Sequence, residues 1–312
     1  QRNLTAKYES PLPHLCYNGV EGGFCMWVLF AFASALFAGL TAVLAKVGVR
    51  DVDANLATAL RTVVVLAFSW LMVAVAGVWR PLGSISARAL LFLALSGLAT
   101  GASWLAYFHA LQLGEVSRVA AVDKCSTVLT MLLAFLLLGE ALTLFKVLAI
   151  LLIGAGTALM LQRKTPAAQA AAGMGRWFWY ALASTVFAAL TTILGKIGIG
   201  GVDSTLGTAL RTTVVLAMAW GMVFVTRAQR GIRKIEGRSW LFLALSGLAT
   251  GCSWLCYYRA LQDGPASAVA PIDKLSILVT VAFSRLFLGE KLSPRVLLGL
   301  GLLTGGTLMT LL

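Results

Sequence analysis

Six ionisable side chains stand inside segments that are otherwise apolar, and they come as two sets of three. Arg61, Asp123 and Lys124 form the first set, and Arg211, Asp273 and Lys274 the second. A charge at mid-depth in hydrocarbon costs about 2.5–3.5 kcal/mol by insertion scales, so these groups must face protein or a wet cavity. Each Asp is followed directly by its Lys, and consecutive residues of a helix point about 100° apart, so the two cannot pair well. Two arrangements remain open. In one, Asp123 neutralises Arg61 and Asp273 neutralises Arg211 across helix interfaces. In the other, Lys124 and Lys274 line a cavity, or the aspartates accept protons. Each set holds one acid against two bases, and an excess positive field in a low-dielectric cavity favours a carboxylate over an organic cation. Lys46 and Lys196 add less, because both can snorkel to an interface.

Neutral polar groups lie nearby. Ser103 and Tyr107 share a helical stripe, with Trp104 and Gln112 close by, and Ser253, Trp254, Tyr257 and Gln262 repeat the pattern. Such groups either bond between helices or hydrogen-bond a polar solute. His109 is replaced by Arg259, so the two sets are not chemically equal there. No Gly-rich loop with a Lys appears for phosphate, and no nucleophile–base–acid set can be assembled, so enzymatic chemistry and direct ATP coupling are not expected. His14 and His109 find no ligand set, so neither a metal nor a cofactor is expected. Cys16 and Cys25 could pair in an oxidising compartment, whereas Cys125, Cys252 and Cys256 read as packing residues.

These residues need elements that suit lipid. Apolar residues make up 59% of the 312 residues and charged residues 12%, with a mean hydropathy of +0.88. A soluble domain carries roughly 45–50% and about 25% respectively, so a polytopic membrane protein is implied and disorder is excluded. The net charge of +13 then reads as basic loops meeting lipid headgroups, not as a nucleic-acid surface.

The strongest pattern is internal repetition. LFLALSGLATGASWLAY at Leu91–Tyr107 returns as LFLALSGLATGCSWLCY at Leu241–Tyr257, an offset of 150. The same offset carries Thr58–Trp70 onto Thr208–Trp220, Asp53 onto Asp203, Asp123-Lys124 onto Asp273-Lys274 and Gly139-Glu140 onto Gly289-Glu290. A polar tail, 1–25, precedes a first copy at 26–162, a linker at 163–176 and a second copy at 177–312. Each copy reads as five apolar spans: 27–46, 54–76, 89–111, 118–138 and 142–161, then 177–197, 204–226, 239–262, 267–288 and 292–312. The expected fold is therefore all-α, with ten transmembrane helices as two five-helix repeats. Five crossings return the chain to the opposite side, so the second repeat is inverted. Secondary transporters are built this way, with the solute held at mid-depth between repeats. Gly97-x-x-x-Gly101, Gly247-x-x-x-Gly251 and Gly301-x-x-x-Gly305 are read as close helix contacts.

The pieces LFLALSGLATGASWLAYFHALQLG and AVDKCSTVLTMLLAFLLLGEAL, with their copies, resemble the EamA family of the drug/metabolite transporter superfamily from Met26 to Leu312. The resemblance implies a ten-helix exporter or exchanger of small metabolites with a central cavity, by alternating access. The substrate-binding set expected from the residues is Arg61, Tyr107, Gln112, Asp123, Lys124, Arg211, Trp254, Tyr257, Gln262, Asp273 and Lys274, and the solute an amino acid or other carboxylate. The competing reading is a non-transporting subunit that uses this fold as a scaffold. The Trp- and Phe-rich faces of spans one and six permit that. Expected partners are membrane lipid and a small-molecule metabolite, with a homodimer or a larger membrane complex also admitted and nucleic acid excluded. The host membrane is a plasma or organelle membrane. The resemblance implies cytoplasmic termini. The odd-numbered loops, however, hold most of the basic residues, Arg227, Arg230, Arg233, Lys234 and Arg238 among them, which places those loops on the cytoplasmic side instead. On that placement both termini lie on the opposite side. It would also suit Asn3-Leu4-Thr5 as a glycosylation sequon.

Overall fold

A computed structural model describes residues 26–48, 52–80, 82–113, 119, 122–123, 125–161, 175–287 and 294–312. The tail with Asn3, His14, Cys16 and Cys25 lies outside the described residues, as do 162–174 of the linker region. The described residues are helical without a strand. In the first copy the helices are α1 (Met26–Gly48), α2 (Ala54–Ala76), α3 (Ala87–Leu113), α4 (Ser126–Leu138) and α5 (Leu144–Leu161). In the second copy they are α6 (Arg176–Ile199), α7 (Ser204–Val225), α8 (Gly237–Asp263), α9 (Ala266–Lys274), α10 (Ser276–Phe287) and α11 (Pro294–Met309).

Local chemistry sets the ends. Asp53 accepts from the Asn55 and Leu56 N–H groups at 2.9 and 3.1 Å, and Asp203 from Thr205 N–H at 2.8 Å. Both are N-caps, satisfying donors that a helix start leaves open. α4 stops at Gly139, whose φ of +67° suits a residue without Cβ.

Seven stretches are long and apolar enough to cross a membrane: α1, α2, α3, α6, α7, α8 and the combined stretch Ala266–Phe283; α4, α5 and α11 are apolar but shorter. Large apolar side chains such as Leu36, Leu71, Val75, Leu136 and Leu241 lie outside, while Ser34, Ser69, Ser96, Ser184, Ser246 and Thr208 are buried. Lipid as the outer solvent permits this arrangement, and small hydroxyl residues let helices close on one another.

The largest packing surfaces each join one copy to the other: α3 with α6, α1 with α8, α5 with α11 and α2 with α7. The contacts come in exchanged pairs. Ser34 Oγ lies 3.3 Å from Ser253 Oγ, and Ser184 Oγ lies 3.2 Å from Ser103 Oγ. A Cβ on Gly97 would meet Val214 Cβ at 2.8 Å, and one on Gly247 would meet Val64 Cβ at 2.7 Å. Moving both partners by 150 in opposite senses converts one contact into the other, which is the signature of a two-fold axis. Leu56 clusters with Val223, whereas Val73 clusters with Leu206. The equivalent helices α2 and α7 therefore run antiparallel, and the axis is perpendicular to them.

Two expectations need correction. Gly301 and Gly305 face open space; α11 instead meets α5 through Gly299 and Gly306, with Gly156 opposite Gly299. The fourth and ninth spans are also not continuous helices. α9 ends at Lys274, Leu275 makes a single turn and α10 begins. Pro271 offers no N–H to the Ser267 carbonyl, which weakens the helix there. Cys125 repeats the backbone of Leu275: φ −64°, ψ −12° against φ −64°, ψ −9°.

Candidate functional site

Six helices, α1, α3, α6, α7, α8 and α9, enclose a cavity of about 290 Å³. Three exchanged pairs line it: Ala38 with Ala188, Ser103 with Ser253 and Trp104 with Trp254. A cavity lined by both members of such pairs straddles the two-fold axis. Its ionisable groups come from the second copy: Arg211, Asp273 and Lys274, with Tyr257 and Tyr258. A second chamber of about 290 Å³ shares Ala38 and Lys274 with the first, and is lined by the exchanged pairs Thr127 with Ile277, Ile153 with Leu303 and Thr157 with Thr307. Lys274 thus stands between the two.

Arg211 is 3% exposed. Its Nε donates to Ser96 Oγ at 3.0 Å and its Nη2 to Thr100 Oγ1 at 2.5 Å. The guanidinium lies 5.0 Å from the Trp254 ring centre and 4.9 Å from that of Tyr258. Ring faces and hydroxyls replace a counter-ion, and Nη1 is buried with no partner. Asp273 accepts from Ser34 Oγ at 2.6 Å. The Tyr257 hydroxyl lies 2.9 Å from Thr192 Oγ1. The break at Leu275 is what presents Asp273 and Lys274, since it leaves them on the last turn of a short helix. Two cations against one acid in a low-dielectric space make the cavity attractive to an anionic group.

The neutralising ion pairs do not form. Arg61 Nη2 donates to Thr250 Oγ1 at 3.1 Å, and Asp123 accepts from Ser184 Oγ at 3.2 Å. Each Arg turns toward the long helix of the opposite copy, while each Asp turns toward the first helix of the opposite copy, so the charges diverge. Of the sequence-derived set, Arg211, Trp254, Tyr257, Asp273 and Lys274 line the cavity, and Arg61, Tyr107 and Asp123 do not. Tyr107 packs, as do Val122, Trp177 and Tyr180, against the buried cluster of Ala110, Val119 and Ala181. Gln262 serves the turn between α6 and α7: its Nε2 donates to the Ile199 and Val202 carbonyls, and its Oε1 accepts from Ser204 N–H. Lys124 and the side chains of Gln112, Lys46 and Arg285 lie outside the described residues. Ser96 and Thr100 escaped the sequence reading, although Ser96, Thr100, Ser103 and Tyr107 follow one another at spacings of four, three and four.

Residues 25–162 and 175–312 each match the model of the EamA-like transporter family. A Sinorhizobium sp protein named an uncharacterized transporter in cobO 3'region is 51% identical over 133 residues, 43% of this chain and 94% of its own. One crystallised protein superposes with a TM-score of 0.73 at 19% identity, over 92% of this chain and 98% of its own, a likeness of fold.

Proposed function

The chain belongs to the EamA-like transporter family as a multi-pass integral membrane protein, and from that premise we propose that it is a secondary transporter of small carboxylate-bearing metabolites, amino acids among them. In this reading the chain crosses the membrane ten times. The shorter helices α4, α5 and α11 supply crossings together with α9–α10 and the six long helices. The second repeat is inverted in the membrane. The solute carboxylate meets Arg211 Nη1 and Lys274, Asp273 receives an ammonium group where there is one, and Tyr257 offers a neutral hydrogen bond. The distal part of the solute enters the chamber beyond Lys274. An ion gradient or exchange drives the cycle.

One observation carries this reading: the cavity is lined by both members of three exchanged pairs. Alternating access requires a site on the symmetry axis, because the repeats trade conformations around a fixed solute. The test is uptake by purified protein in liposomes, with labelled amino acids, dicarboxylates and quaternary ammonium compounds offered separately. Uptake of carboxylates and not of quaternary ammonium compounds is the expected result. Preference for the cations, abolished by Asp273→Asn, would overturn the substrate class. Failure of every solute, with co-purification in a fixed ratio with a large assembly, would overturn transport in favour of a scaffold.

A further inference from the structure

Gly139-Glu140, the first copy of the repeated Gly-Glu turn, does not line the solute cavity, and the second copy, Gly289-Glu290, lies outside the described residues. Gly139, in its left-handed conformation, turns the chain so that Glu140 reaches the start of α9 in the other copy. Glu140 Oε1 accepts from Ala266 N–H at 2.7 Å and Oε2 from Ser267 N–H at 3.0 Å. Those N–H groups have no partner within the helix, and the helix dipole there favours an anion. Lys196 Nζ stands 3.8 Å from Glu140 Oε1 and donates to the Gly264 carbonyl. Gly264 is backed by Trp27: a Cβ there would come within 2.5 Å of the indole. The Glu140 side chain is 12% exposed. Leu93, Ile193, Ile199, Leu261, Val269 and Ile272 belong to one buried cluster that takes in Ala266 at the start of α9 and packs against Trp27. A helix cap normally comes from the residue just before the helix. Here it comes from 126 positions earlier, and the ion pair adds a third helix.

α9 is nine residues long, about 13 Å at helical rise. Its first turn is held by Glu140, and its last turn carries Asp273 and Lys274 on the cavity wall. The break at Leu275 separates it from α10, so it is a unit that can be turned by its first end. We propose that Glu140 is a positioning residue of the solute site and the clasp that closes this end of the cavity. It holds α9 where Asp273 and Lys274 face the solute, and transport requires the clasp to release. This rests on the alternating-access reading above.

The test is thiol labelling at Ala188→Cys on the cavity wall, with the five native cysteines changed to Ala. A membrane-impermeant maleimide is applied to one face of oriented proteoliposomes at a time. With Glu140→Gln, labelling from the face where α9 begins rises about tenfold or more, the scale expected from losing a hydrogen bond to a charged group. Labelling from the opposite face falls, because opening one end closes the other. Gly264→Ala pushes a methyl group into Trp27 and loosens the same corner with every charge in place. It gives the same one-sided change, and serves if Glu140→Gln fails to fold. Unchanged labelling in both variants overturns the clasp, and so does a rise from both faces, which is general loosening. The readout needs no solute: one-sided labelling without uptake upholds the clasp and counts against transport, whereas uptake with unchanged labelling overturns the clasp alone.

Discussion

Arg211→Met removes a charge that the fold buries without an acidic partner. Two hydrogen bonds from a charged donor are lost, at 3.0 Å to Ser96 Oγ and 2.5 Å to Thr100 Oγ1, each about 1.5–3 kcal/mol. Contacts with the Trp254 and Tyr258 rings go too, each up to about 2 kcal/mol when desolvated. Against this, the desolvation of a buried cation, several kcal/mol in effect, is no longer incurred. The Met thioether can also pack on the same rings for about 0.3–1.5 kcal/mol. No polar orphan results, since Ser96 still donates to the Thr191 carbonyl at 2.7 Å and Thr100 to the Ser96 carbonyl at 3.0 Å. The terms nearly cancel, so the melting temperature in detergent should move by only a few degrees. A bound carboxylate, by contrast, loses a charge-assisted bond of about 1.5–3 kcal/mol, or roughly 10–150-fold in affinity. The assay pairs half-saturation of carboxylate uptake in liposomes with thermal melting of the same preparation. A large fall in melting temperature with unchanged half-saturation would show that Arg211 is a strut, and would refute the reasoning.

Lys274→Met should weaken carboxylate uptake about tenfold, the scale of one hydrogen bond to a charged group, while melting in detergent changes little; equal losses in both would assign Lys274 to folding. Gly97→Val and Gly247→Val drive side chains into Val214 and Val64, and each should cost about 1–3 kcal/mol by overpacking. Gly301→Val, facing open space, should leave the melting temperature unchanged. A cysteine introduced at Gln229, among Arg227, Arg230, Arg233 and Lys234, should be labelled from the cytoplasmic face as the positive-inside rule requires; labelling from the other face would reverse the assigned orientation.

The repeat was legible because side chains recur without a gap, and it carried the span limits with it. α2 occupies the expected 54–76, and α8 differs from its expected range by one or two residues at each end. The helix breaks were not legible. Leu275 and Cys125 make their turn in ordinary helical φ/ψ space without glycine, and the proline at 271 is matched by Ala121, so no common breaker residue marks the site. Which of the two charge arrangements forms was not legible, for a related reason. Depth along a span can be counted from sequence, but which neighbour a side chain faces depends on the packing of the two copies. Arg211 meets Ser96 and Thr100, and not Asp273, because α7 packs on α3 through Gly97 and Gly101. Gln262 looked like a solute ligand on polarity alone, yet the turn at Ile199–Ser204 uses every polar atom it has.

The most direct test of a solute path through the axial cavity is counterflow of a labelled carboxylate through Ala188→Cys protein, in the background without native cysteines. The same preparation is measured before and after reaction with a bulky maleimide. Saturating carboxylate should slow the reaction, and the completed reaction should stop counterflow, because the adduct fills a space of about 290 Å³ shared by both copies. Undiminished counterflow through fully modified protein would contradict the account, since the solute would then be crossing by another route.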